Sequence, residues 1–352
     1  MRITLLLLTI LFLAQTIKAQ DSDNLSFDGN IRYALTTVGN DNGFEDGVSA
    51  IRTRLGAKYI ISPTQSFRVR AVATFSEEFE AAKFTLRADG SGLNLGSISF
   101  DEFYYRINKD DLDIKIGRFV HTISVLSNAK RSLMRFQGAN VANHWSDGIY
   151  AKKTLENGWY TEFIGEYQTR NHTTYPYQGN LDFGNNEHNI TSYLAIENRE
   201  RDSKNIIQKG VGLFLAPNAY RNGSDYTSYL AFTSRIALDF PQPELLRNGS
   251  IRIAGELGQN LSTDFEDGTI AIASVGINNF ADQHEFMVEF ATTDTEWLLA
   301  NAYARGGKEI ELRYRYFITK NLNFDTRYRV RHFNETGRPN VHGAFFRLNY
   351  SF

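Results

Sequence analysis

Apolar and polar residues alternate with a period of two along most of this 352-residue chain. The C-terminal end shows the pattern most plainly. Ile310, Leu312, Tyr314 and Tyr316 alternate with Glu311, Arg313 and Arg315. After Lys320-Asn321, Leu322, Phe324, Thr326, Tyr328 and Val330 alternate with Asn323, Asp325, Arg327 and Arg329. In the last segment Ala344, Phe346, Leu348, Tyr350 and Phe352 alternate with Phe345, Arg347, Asn349 and Ser351. Successive side chains of a strand point to opposite faces, so each segment reads as a strand with one apolar and one polar face.

Requiring that alternation predicts 16 strands, over 25–37, 47–60, 66–77, 96–107, 111–119, 147–154, 158–168, 188–199, 206–216, 226–240, 248–260, 267–278, 283–294, 308–318, 321–333 and 342–352. Short turns fall at Ser62-Pro63-Thr64, Asn108-Lys109-Asp110, Glu156-Asn157-Gly158, Arg201-Asp202-Ser203, Pro241-Gln242-Pro243, Phe280-Ala281-Asp282 and Lys320-Asn321, with longer connections between them. The segment 188–199 carries the weakest pattern, but the up-and-down order needs it. The pattern alone leaves 14 or 18 strands open.

A soluble sandwich also alternates. Three features favour a membrane instead. The segments reach roughly 10 residues, the length with which a tilted strand crosses a bilayer. Their polar faces carry arginine after arginine. Short and long connections alternate, as in outer-membrane barrels. The fold class expected is therefore all-β, a transmembrane antiparallel up-and-down barrel. Residues 1–19 read as a signal peptide: Met1-Arg2 is basic, Ile3 to Ala14 is apolar but short for a spanning helix, and Ala19 is a small residue for cleavage. The barrel then occupies 20–352.

The 18 Tyr and 26 Phe suit strands, and the absence of cysteine leaves hydrogen bonding, packing and the membrane to stabilise an exported chain. A net charge of -2 implies no nucleic-acid partner. The sequence holds no Gly-x-Ser-x-Gly elbow, and its histidines (His121, His144, His172, His188, His284, His332 and His342) are scattered without metal-ligand spacing. No cofactor, metal site or catalytic residue is expected, although a barrel hydrolase stays open as a minor alternative. A TonB-dependent transporter needs about 22 strands and a plug. The few residues from Gln20 to Asn24 make no plug.

The chain resembles the Gram-negative outer-membrane porins, both the general and the phosphate-selective-like 16-stranded barrels. Terminal Phe352, with its alternating apolar predecessors, resembles the signal presented to the barrel assembly machinery. Asp113-Ile114-Lys115-Ile116-Gly117-Arg118-Phe119 resembles the strand before the porin constriction loop, and His121 to Asp147 stands in that loop's place. The resemblance implies an inward-folded third outer loop, an outer-membrane location amid lipid and lipopolysaccharide, passive passage of small hydrophilic solutes, and a homotrimer. The chain departs from the general porins in one respect. From Ile114 through Ser146 it has no Asp or Glu, where their loop is acidic.

If one face meets lipid, the other meets the lumen. The first three and last three strands then form one wall carrying Arg32, Arg52, Arg54, Lys58, Arg68, Arg70, Arg313, Arg315, Arg327, Arg329, Arg331 and Arg347. Only Asp28, Glu309, Glu311 and Asp325 oppose them on those strands, and the candidate loop adds Lys130, Arg131 and Arg135. Rings of Arg and Lys favour anions, so an anion-preferring pore is expected. An occluded barrel with a binding or structural role is the alternative. Ala231, Ala271 and Ala273 are expected on the lipid side, as small residues for barrel-to-barrel packing.

Overall fold

The computed structural model describes residues 24–44, 47–76, 83–84, 97–121, 123, 145–169, 188–221, 225–262, 268–297, 299 and 306–352. Residues 1–19, expected as a signal peptide, and Lys130, Arg131 and Arg135 lie outside these residues. Among the described residues the long elements are all strands: β1 (Leu25–Asn40), β2 (Val48–Ser62), β3 (Gln65–Ser76), β4 (Ser97–Lys109), β5 (Leu112–Phe119), β6 (Ser146–Thr154), β7 (Trp159–Thr169), β8 (His188–Asn198), β9 (Ile206–Arg221), β10 (Asp225–Pro241), β11 (Ser250–Asn260), β12 (Thr269–Phe280), β13 (His284–Thr293), β14 (Gly307–Phe317), β15 (Leu322–Phe333) and β16 (Val341–Ser351). Each pairs antiparallel with the next, and β16 returns to β1 in a register running from Asn30↔Ser351 to Asn40↔Val341. The sheet is therefore closed and has no free edge. Two-residue strands at Gly43–Phe44 and Lys83–Phe84 flank it.

Every expected segment is a strand, including 188–199, which is His188–Asn198. The connection after β9 differs from expectation. It is confined to 222–224, because β9 continues to Arg221. Pro217 cannot donate to the ladder, and the register shifts between Ala216 and Ala219 before pairing resumes at Ala219↔Thr227. Proline breaks the alternation there without ending the strand.

The two faces separate as the period requires. Leu35, Leu55, Phe103, Ile149, Leu194, Leu213, Leu257, Ile310, Leu312 and Phe346 stand exposed on the outer circumference, while the charged residues between them are buried on the inner side. An isolated soluble sheet would do the reverse. At the short-turn end the outer face carries a stacked aromatic belt, with Phe286 on Tyr314, His284 on Tyr316 and Phe324 on Phe346. Such girdles sit at the lipid–water interface. Ala273 faces outward as expected. Ala231 does not, since the odd residues of β10 face inward and Ala231 is fully buried beside Tyr229.

Candidate functional site: a cationic inner wall

The wall formed by β14, β15, β16, β1, β2 and β3 gathers arginines across adjacent strands. Arg32 lies directly opposite Arg52, Lys58 opposite Arg68, and Arg313 opposite Arg327. Like charges directly opposite one another repel, so these pairs need counter-charges on the same face. One carboxylate supplies most of them on the C-terminal side. Asp325 accepts hydrogen bonds from Arg313 Nε at 2.8 Å, Arg327 Nε at 2.9 Å and Arg347 Nη2 at 2.9 Å, with Arg315 Nε at 3.5 Å. Arg315 also meets Glu285 at 2.7 Å, and Arg327 has Glu311 at 3.9 Å. Farther toward the long-loop end, Glu309 holds Arg331 at 2.6 Å and Arg329 at 3.9 Å.

On the N-terminal side the counter-charges come from β4. The β3–β4 register shifts between Arg70 and Ala71, so that Glu102 pairs with Arg70 and Phe100 with Ala71, leaving Asp101 in a bulge. A bulge re-aims side chains, and here it turns two consecutive acids to the same inner face. Asp101 takes Arg54 at 2.7 Å and Arg70 at 2.8 Å, and Glu102 takes Arg68 at 2.9 Å and Arg70 at 3.3 Å. Arg68 also pairs with Asp28. Arg32 donates to Asn349 Oδ1 at 2.6 Å across the β1–β16 junction, Arg52 is buried beside it, and Lys58 is half-buried.

All twelve wall residues expected from sequence therefore share the inner face. Their net charge is smaller than expected, because Asp101, Glu102, Glu285 and Glu289 join the four acids foreseen. A positive balance remains. The acids of β4 and β13 lay outside the six strands considered, and no period-two reading puts Asp101 and Glu102 on one face.

The opposite side of the lumen has a different character. Arg235 is buried between Glu197 at 3.5 Å and Glu256 at 3.3 Å and donates to the Tyr193 hydroxyl at 2.9 Å. Glu166 accepts from Ser146 Oγ at 2.7 Å and Thr191 Oγ1 at 3.3 Å. Above these, inward-facing Tyr150, Tyr193, Phe214, Tyr229, Ile270 and Ile272 form an apolar cluster with Ile123, Trp297 and Leu299 from the connections. Gly258 leaves the space that the Trp297 ring occupies. The expected inward third loop begins at His121, whose Nε2 lies 3.6 Å from Glu162, and Ile123 joins the cluster. Residues 124–144, with the expected constriction residues Lys130, Arg131 and Arg135, are outside those described.

No family model matches the chain, and no curated protein matches its sequence. Solved structures do match. OprB of Pseudomonas putida superposes with a TM-score of 0.65 at 10% identity, over 94% of each chain. The fold is that of the porins. OccK2 (OpdF) of Pseudomonas aeruginosa, solved in complex with glucuronate, gives 0.58 at 10% identity, covering 93% of this chain and 98% of its own. OpdK of the same organism, solved with vanillate, gives 0.60 at 9% identity over 94% and 98%. At such identities the likeness to these porins concerns the 16-stranded architecture.

Proposed function

We propose that this barrel is an outer-membrane porin of a Gram-negative bacterium, through which small hydrophilic solutes diffuse passively, with a preference for anions. Residues 1–19 serve as its export signal, Phe352 presents the chain to the barrel assembly machinery, and the mature barrel sits as a homotrimer among lipid and lipopolysaccharide. The observation that carries the reading is the inner wall, where twelve basic side chains share one face inside an apolar outer circumference. A narrow low-dielectric passage focuses that potential. Guanidinium groups donate to carboxylates in bidentate fashion, and many adjacent sites permit exit as well as entry. Glucuronate and vanillate, present in two solved barrels of this fold, are both carboxylates.

Planar-bilayer reversal potentials in a KCl gradient test the reading. A potential on the chloride side is expected, and a clear cation preference would sink the anion assignment. The apolar cluster around Trp297 favours a second reading, an occluded barrel with a binding or structural role. Single-channel conductance separates the two, since an occluded lumen carries no ohmic current.

A further inference from the structure

Asp325 is 1% exposed, and both of its oxygens are engaged by arginines from three strands: Arg313 and Arg315 on β14, Arg327 on β15 and Arg347 on β16. A carboxylate offers roughly four acceptor positions, and these donors occupy them. Such a cage has the chemistry with which a protein captures a free carboxylate or phosphate. Its occupant here is tethered to the chain. The arginines whose side chains are less enclosed lie outside the cage, with Arg329 at 17% and Arg331 at 20% exposure against 4% for Arg313.

We propose that Asp325 is a positioning and selectivity-setting residue, a built-in counter-anion that fills the four-arginine cage and so prevents permeating anions from lodging there. This rests on the porin reading and deepens it. Solute anions then meet the more exposed Arg329 and Arg331, which already face Glu309, so that contacts there are weak enough to release them. A conducting pore requires sites that bind and also let go. Asp325 also holds Arg313 and Arg327, which face each other across β14 and β15, at fixed positions despite their repulsion.

The test compares wild-type protein with Asp325→Asn in planar bilayers, reading reversal potential in a KCl gradient and block by inorganic phosphate. The amide keeps the shape and removes the charge. The reversal potential is expected to move toward the chloride limit, and phosphate is expected to block at about tenfold lower concentration. An Asp325→Asn channel with wild-type selectivity and wild-type phosphate sensitivity overturns the proposal while leaving the porin reading intact. A wild-type barrel that carries no current overturns both. Should Asp325→Asn fail to fold, Arg313→Met and the charge-balanced Asp325→Asn/Arg313→Met decide. Arg313→Met alone should weaken anion preference and the double variant should restore it. Equal reversal potentials for those two variants overturn the proposal.

Discussion

Phe352 and Gly29 exchange both of their backbone hydrogen bonds, at 2.9 and 3.0 Å, and the Phe352 ring lies over the bare Cα of Gly29. The last residue of the chain is thus bound to the first strand. A side chain at position 29 would overlap the Phe352 ring and the Arg54 carbonyl oxygen. Covering a strand glycine with a cross-strand aromatic is a recognised way to pin register. Gly29→Val should displace the ring and destabilise the barrel by about 1–3 kcal/mol, the range for overpacking. Urea unfolding in detergent micelles measures it. Phe352→Ala should impair closure more than stability, seen as a smaller folded fraction on unheated gels.

Arg235 lies between Glu197 and Glu256, and its side chain is 2% exposed. Removing one partner of a buried ion pair leaves uncompensated charge, at a cost of about 3–5 kcal/mol. Arg235→Met should show that loss in the same unfolding assay. Arg235→Met combined with Glu256→Gln should recover part of it, since fewer carboxylates are then left without a counter-charge.

Trp297 is 1% exposed within the apolar cluster and rests on Gly258. Trp297→Ala should cost about 3–5 kcal/mol of stability, as large-to-small core changes do. Single-channel conductance should rise at the same time, because the ring fills space on the inner side of the wall. A fall in both quantities would mean that the cluster supports the passage rather than narrowing it.

At the long-loop rim, Asp41 accepts from His342 Nε2 at 2.9 Å and from the Asn340 backbone and side chain at 3.4 and 3.3 Å. The hydrogen bonds from His342 and Asn340 hold its carboxyl below the usual carboxylate range. A lowered folded value means that the tie is complete above the ordinary Asp value of about 4 and is lost as pH falls through the folded value. Amide exchange at Asn340 should therefore accelerate on acidification. Asp41→Asn should make that exchange insensitive to pH over the same interval, after correction for intrinsic rates.

Period-two alternation made the strands legible, because a barrel wall separates lipid from lumen at every residue. The arginine rows were legible for the same reason. What alternation cannot convey is any departure from it. The bulge that turns both Asp101 and Glu102 inward and the irregularity at Pro217 are each one or two residues of lost register. Ala231 illustrates a second limit, since a small residue carries too little hydropathy to declare its face. The apolar cluster opposite the arginines was hidden as well. Inward Tyr229 and Ile270 resemble outward ones until their strands are placed around the circle.

The arginine-rich surface straddles the junction between the two ends of the polypeptide, with Arg32 on one side and Asn349 and Arg347 on the other. Neither terminus alone assembles it. A sheet open along that line would hold the arginines of the first strands apart from those of the last three. On the proposed pore reading, the charged lining is continuous only where the first and last strands are paired.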